Sequence, residues 1–172
     1  MILETPRLWL RPCERNDADV LHAMWTNAGV RRYLWDDRVI DRATSQAVAE
    51  SLADSWRVHH TGLYLLYRSA DPGGAAIGFC GLRQFGEQGE WELLYGLLPA
   101  YWGQGYAVEA ARAVLAHGFR ILSCDRIASR ADPPNAASIR VMEKLGLHSD
   151  GVRIEDGREI VCYWSYRHEW NQ

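Results

Sequence analysis

The sequence predicts an α/β fold in which about four helices flank a mixed, mostly antiparallel sheet of about seven strands. Three observations lead there. Alternating or apolar runs of strand length recur along the chain, separated by Gly, Pro, Asp and Asn. Four stretches carry a helical pattern, most clearly residues 103–122, with apolar residues three and four apart. One strand–helix–strand unit, residues 91–131, sits among the strands and requires a parallel pair, so the sheet is mixed.

The elements follow in order. "RLWLRP" alternates and reads as a first strand over Arg7–Arg11, stopped by Pro12. Asn16 or Asp17 caps a helix that runs through Val20, Leu21 and Met24 to Trp25, where Asn27 and Gly29 break it. A helical turn follows at Val30–Leu34. Asp41–His60 is a second helix with Ala47, Val48, Ser51, Leu52 and Ser55 on one face, ended by Gly62. The runs 63–69, 75–85 and 91–99 are strands joined by "ADPGG" and "GEQGE", two short connections that suit antiparallel hairpins.

From Gly103 or Gln104 a helix extends to about Leu122, burying Ala107, Ala110, Ala111, Val114, Leu115, Gly118, Phe119 and Leu122. A strand at 126–131 leads through "DPPN" into a helix from Asn135 to Leu145, closed by Gly146. Two last strands, 147–155 and 159–168, flank "EDG". No linker, repeat or low-complexity tract divides the chain, and its 172 residues read as one domain over 1–172.

Composition narrows the function classes. A net charge of −3 provides no general attraction to nucleic acid or to an anionic membrane. The cysteines, Cys13, Cys80, Cys124 and Cys162, are far apart and form no CxxC pair, so they read as free thiols of a reducing compartment and not as a metal or redox site. His59 and His60 are adjacent and on a helix point apart, which is poor metal geometry. "MILETPRLWLRPCERND" meets charge too early for a signal peptide, and no segment is apolar enough to span a membrane. The expectation is a cytoplasmic protein with no metal, no nucleic-acid partner and no membrane partner.

The chemistry begins at "YWGQGYAVEAAR", residues 101–112. A strand, Pro99, a turn with Gly103 and Gly105, and then a helix present the unpaired N–H groups of a helix start to an anion. Glycine permits close backbone approach. The same two glycines also suit a plain tight connection. The turn lacks the Lys-Ser or Lys-Thr of a P-loop, and Val108 stands where a dinucleotide fingerprint needs its third glycine.

The chain resembles the GNAT superfamily of acyl-CoA N-acyltransferases, and within it the RimJ/RimL branch of ribosomal-protein N-acetyltransferases. The family's pyrophosphate loop, Gln or Arg-x-x-Gly-x-Gly or Ala, matches Trp102-Gly103-Gln104-Gly105-Tyr106-Ala107 at its last three positions, with Trp102 in the first-position role. "ETPRLWLRP", "IGFCGLR", "WELLYGLLPAYWGQGYAVEAARAVLAHGF" and "NAASIRVMEKLGL" extend the resemblance over nearly the whole chain.

The resemblance implies a sheet split into a V between its fourth and fifth strands, with acetyl-CoA as co-substrate lying in it. The backbone of Tyr95, Gly96 and Leu97 then holds the acetyl group and pantetheine arm. The N–H groups of residues 103–107 hold the pyrophosphate, and Asn135 bonds the pantetheine. Asn135 is equally suited to a simple helix cap. Gly96 in mid-strand independently suits a bulge or a close ligand approach.

Acetyl transfer to an amine needs a neutral amine, a donor for the oxyanion and a proton for the leaving thiolate, with much of the rate coming from holding both reactants together. The N–H near Leu97 is the expected oxyanion donor. Many family members place a proton-donating tyrosine at the position of Met142, which cannot donate. The branch pattern offers Ser138 instead. Glu92, on a strand face with Leu94 and Gly96, is the candidate base, with an ion pair to an arginine as its other reading and water as the other route for the proton. Glu109 reads as a structural ion pair, and Tyr95 as packing or as orienting the substrate.

The acceptor side is expected from the first helices and the last strand pair. There Asp36 and Asp37 suit a cationic amine or a solvated tip, and Trp35, Trp56 and Trp164 are available to shape a pocket. The resulting expectation is an N-acetyltransferase acting on a protein N-terminal amine or a small-molecule amine, compatible with a homodimer. A non-catalytic acyl-CoA sensor is the alternative, and a nucleotide-binding domain is a more distant one.

Overall fold

In the computed structural model, which describes residues 1–86 and 89–170, eight strands form one sheet. They are β1 (Leu3–Glu4), β2 (Leu8–Pro12), β3 (Leu63–Arg68), β4 (Gly78–Phe85), β5 (Glu90–Leu97), β6 (Arg126–Ala131), β7 (His148–Glu155) and β8 (Arg158–Tyr166). The order across the sheet is β1-β2-β3-β4-β5-β6-β8-β7. Every neighbouring pair is antiparallel except β5–β6, the parallel pair that the strand–helix–strand unit required. The strand beyond the expected seven is β1, two residues that pair with β2 at the sheet edge. In the "GEQGE" connection, Glu87 and Gln88 lie outside the described residues, as do Asn171 and Gln172 at the end of the expected domain.

The helices are α1 (Ala18–Trp25), α2 (Ala28–Arg31), α3 (Arg42–His59), α4 (Tyr106–Ile121) and α5 (Ala136–Leu145). Three boundaries before α4 differ from expectation for local reasons. Asp17 precedes α1, but its carboxylate turns back to the Glu14 N–H at 2.7 Å and to Arg11, so a 3-10 turn at Arg15–Asp17 leads into the helix instead. Asn27 starts α2 as well as ending α1, accepting from the Gly29 N–H at 3.0 Å, and this shifts the expected turn from 30–34 to Ala28–Arg31. His60, left-handed at φ 55°, stops α3 before Gly62 is reached. Asp41 caps α3 through the Thr44 N–H at 2.7 Å.

Alternate residues of each strand feed different faces of the sheet. Tyr64, Leu66, Leu82 and Leu93 face α4 and α5, against Val114, Leu115, Phe119 and Met142. Leu63, Leu65 and Phe79 face α1 and its surroundings, against Leu21, Met24 and Trp25. The apolar stripe read along residues 107–122 is the buried face of α4, with Ala110, Ala111, Val114, Leu115 and Phe119 almost fully enclosed. Cys13, Cys80 and Cys162 are buried, and all four thiols are free. Among the described residues no His, Cys, Asp and Glu group is placed to hold a metal, and no helix is long and apolar enough to cross a membrane.

Candidate active site

The candidate site lies where β5 and β6 part. Their registered pairs are Glu92–Ala128 and Leu93–Ser129, whereas β5 continues to Leu97 paired only with β4. The edge of β5 from Leu94 to Leu97 is therefore open. The Leu98 N–H donates to the Ile77 carbonyl at 2.9 Å, on the β4 side. Successive strand residues alternate in direction, so the N–H groups of Leu97 and Tyr95 point into the gap. An extended ligand amide can pair with such an edge as a further strand would.

Gly96 shows no bulge, since the register with β4 is continuous from Gly78–Leu97 to Phe85–Glu90. Its bare Cα is required instead by the ring of Phe79, whose Cζ would lie 2.5 Å from an added Cβ. The close neighbour of this glycine in the fold is thus a side chain of the neighbouring strand.

Beyond Leu97 a 3-10 turn at Pro99–Tyr101 leads to extended Trp102, and then Gly103 (φ 72°) and Gly105 (φ 83°) turn the chain left-handed into α4. These two positive angles explain why the helix begins at Tyr106 and not at Gly103 or Gln104. No side chain caps α4, so its first N–H groups face outward. A Cβ on Gly103 would meet nothing within 4 Å, whereas one on Gly105 would meet Arg7 Nη2 at 3.4 Å. Gln104 spends its side-chain amide on the Ala100 carbonyl at 3.0 Å. Tyr106 lies under the Arg7 guanidinium, 4.6 Å from ring centre to Cζ, and Ala107 packs against the core.

Arg7 was not singled out by sequence reasoning. It donates from Nη1 to the Gln104 carbonyl at 2.9 Å and from Nε to Glu109 Oε2 at 2.6 Å. Glu109 also accepts from the Thr5 hydroxyl at 2.6 Å and from the Arg7 N–H at 2.9 Å. Glu109 is the structural ion pair expected of it, tying the start of the chain to the glycine turn. Burial pushes its pKa up, but Thr5 and Arg7 outweigh that and hold it below the ordinary value.

Across the gap, Asn135 caps α5, its Oδ1 accepting from the Ser138 N–H at 3.1 Å. Ser138 stands in the first turn of that helix. Its Oγ is 2.8 Å from the Tyr95 hydroxyl, which also lies within hydrogen-bonding distance, 3.0 Å, of the Ser138 carbonyl. Burial pushes the Tyr95 phenol up to about 12, opposed by the Ser138 and Ser129 hydroxyls. Met142, at the usual tyrosine position, is wholly buried.

The geometry does not favour the base role expected of Glu92. The residue is buried, with Oε2 accepting from Arg83 Nε and Oε1 from Arg130 Nε, each at 2.7 Å. Arg130 in turn pairs with Glu155. Both carboxylate oxygens are engaged by guanidinium groups, which is the ion-pair reading of this residue.

The acidic tip is also neutralised. Asp36 accepts from Arg158 at 2.5 Å, and Asp37 from Arg31 at 2.9 Å. Each of the three tryptophans offered as pocket walls has a partner in the fold, and Trp56 also lines a cavity with Asn16, His60 and His117. Trp35 packs edge-on against Trp25, Trp56 donates to the Leu63 carbonyl at 3.0 Å, and Trp164 donates to Asp150 at 2.9 Å.

Residues 7–148 match the family described as acetyltransferase (GNAT) domain. An uncharacterised N-acetyltransferase, p20, of Bacillus licheniformis is 30% identical over 152 residues, covering 87% of this chain and 84% of that one. The fold matches the acetyltransferase (GNAT family) from Bacillus anthracis with a TM-score of 0.79 at 21% identity, covering 98% of this chain and 99% of that one. It also matches RimL, a ribosomal L7/L12 alpha-N-protein acetyltransferase solved in complex with coenzyme A, with a TM-score of 0.80 at 16% identity and coverage of 96% and 98%.

Proposed function

The chain belongs to the acetyltransferase (GNAT) family, and from that premise we propose that residues 1–172 are one N-acetyltransferase domain of the RimJ/RimL branch. It moves the acetyl group of acetyl-CoA to a primary amine by direct attack within a ternary complex. The acceptor is a protein N-terminal amine or a small-molecule amine, and the compartment is the cytoplasm, in keeping with its free thiols. The observation that carries the reading is the open edge of β5 running straight into an uncapped, glycine-turned helix start. One ligand with an amide-bearing arm and a pyrophosphate satisfies both.

In this reading the N–H and C=O groups of Tyr95 and the N–H of Leu97 meet the pantetheine arm and the thioester, with Gly96 between them. The pyrophosphate lies on the N–H groups from Gly103 to Ala107, around Gln104, Gly105 and Tyr106, where the dipole of α4 favours negative charge. Asn135 keeps its cap through Oδ1 and offers its amide N–H to the pantetheine. The acceptor nitrogen attacks the thioester carbon, and the Leu97 N–H receives the developing oxyanion. Ser138 supplies the proton to the leaving thiolate. With Glu92 engaged by Arg83 and Arg130, the amine's proton leaves through water.

Calorimetric titration with acetyl-CoA, coenzyme A and ATP tests the donor site. Thiol release with a panel of amines (an N-terminal-serine peptide, spermidine, an aminoglycoside) tests the reaction. Coenzyme A binding with turnover of at least one amine is expected. The engaged Glu92 and the buried Met142 favour the sensor as second reading, and tight binding with no turnover would select it.

A further inference from the structure

We infer that Tyr95 is the positioning residue for Ser138, and that these two hydroxyls form a bridge over the gap which stabilises negative charge on the sulfur of coenzyme A. The inference rests on the acetyltransferase reading and deepens it.

Tyr95 comes from β5 and Ser138 from α5, on opposite sides of the parting strands. Their hydroxyl oxygens are 2.8 Å apart, and the phenol also reaches the Ser138 carbonyl at 3.0 Å. A phenol has one proton, so it can serve only one of these acceptors at a time. In the resting arrangement the Tyr95 O–H donates to the Ser138 carbonyl, and the Ser138 O–H donates to the phenol oxygen. With a thiolate in the gap, the serine proton turns to sulfur and the phenol proton turns to the serine oxygen. Each hydroxyl keeps a partner in both arrangements, and the exchange needs only two O–H rotations.

The raised phenol pKa keeps Tyr95 protonated throughout the physiological range, so its proton is held for Ser138 and not lost to solvent. Ser138 cannot drift from the phenol, because its N–H is fixed by Asn135 in the first turn of α5. Met142 has no proton to donate and leaves this helix face without the usual donor, and the phenol reaches the same helix from β5.

In the transfer step the bond from nitrogen to the acyl carbon forms and the C–S bond breaks, leaving its electron pair on sulfur. The S–H bond forms as the Ser138 O–H breaks. The proton released by the acceptor amine reaches the serine oxygen through water as the serine's own proton passes to sulfur, so no charge rests on the serine, and Tyr95 keeps its hydrogen bond to that oxygen throughout. No other co-reactant is consumed.

The test uses bound coenzyme A itself, so it does not depend on knowing the acceptor. The thiolate absorbs in the ultraviolet, and its appearance with pH is followed on the full chain loaded with coenzyme A. In the wild-type protein the bound thiol titrates about one unit below the free thiol, a tenfold shift, because the bridge donates to the thiolate. Tyr95→Phe and Ser138→Ala each return it towards the free value, with coenzyme A affinity changed less than threefold. The double variant goes no further than Ser138→Ala, because the two hydroxyls act as one unit.

In turnover, Tyr95→Phe lowers kcat with the KM for acetyl-CoA nearly unchanged. A bound thiol that titrates alike in wild type and Tyr95→Phe overturns the inference and leaves the acetyltransferase reading standing. Additive shifts in the double variant overturn the coupling. Failure of the wild-type chain to bind coenzyme A overturns the acetyltransferase reading and the inference with it.

Discussion

The indole N–H of Trp102 donates to the carbonyl oxygen of Leu97 at 2.6 Å. That carbonyl belongs to the last residue of the open β5 edge, so the indole closes the edge at the corner where strand gives way to glycine turn. The ring is about half exposed, yet its position is set by contact: a Cβ on Gly29 would lie 2.9 Å from it and 2.8 Å from Pro99. Trp102 therefore joins α2, β5 and the glycine turn at one point.

Trp102→Phe keeps a ring and removes the donor. The lost hydrogen bond is worth about 1 kcal/mol, so coenzyme A affinity should fall about fivefold by calorimetry. Gly29→Ala should produce a similar loss without touching the site, because the new methyl displaces the ring. Wild-type affinity in both variants would show that the corner does not govern donor binding.

Glu92→Gln separates a frame from a base. Breaking one member of a buried ion pair costs about 3 kcal/mol, and here it leaves Arg83 and Arg130 facing each other across β5. Arg83 is half exposed, so its share of that loss is small. The expected result is a melting temperature lower by several degrees, with kcat falling only as far as the folded fraction falls. A variant that melts like the wild type but has lost its turnover would restore Glu92 as the base.

How far these features were legible depends on their sequence range. Strand and helix periods, the cap at Asn135 and the stop at Gly146 are local patterns, and they appear where the sequence puts them. The parallel pair followed from chain direction alone. The partners of Glu92 did not: Arg83 sits directly opposite in the β4–β5 register, and Arg130 enters from β6. Side-chain pairing across strands follows from register, which no single strand's pattern reveals. The Tyr95–Ser138 contact spans 43 positions and joins a strand to a helix, so no local pattern reveals it either. Likewise Gly96 suited a bulge or a close ligand approach, and only the fold identifies Phe79 as a group that lies against it.

Gly105 tests the anion site while holding backbone strain constant. At φ 83° an ordinary L-residue is strained, but Asn and Asp tolerate the left-handed region better than most and are nearly equal in size. Gly105→Asn reports the steric cost alone. Gly105→Asp adds a negative charge at the start of α4, and coenzyme A should bind about tenfold more weakly to it than to the Asn variant. Salt should narrow that gap, since the exposed charge is screened. Equal affinities at low salt would place the pyrophosphate away from this turn.

Asn135 has a visible role and a proposed one, and two substitutions divide them. Its Oδ1 caps α5 through the Ser138 N–H. Gly146 closes the other end of that helix in the left-handed conformation, so the cap is one of two local restraints on its length. Asn135→Ala removes the cap, which should cost about 1 kcal/mol and lower the melting temperature by roughly 2–4 °C. Asn135→Asp keeps an equally good capping oxygen and should melt like the wild type. The Asp variant, however, replaces an amide that can donate to a pantetheine carbonyl with an oxygen that can only accept. Its coenzyme A affinity should therefore fall at unchanged stability, by about tenfold if the unpaired ligand carbonyl is buried in the gap. Calorimetry on the Asp variant is the deciding measurement. Affinity equal to wild type would make Asn135 a cap alone, and Ser138 would then be positioned by a residue that never touches the donor.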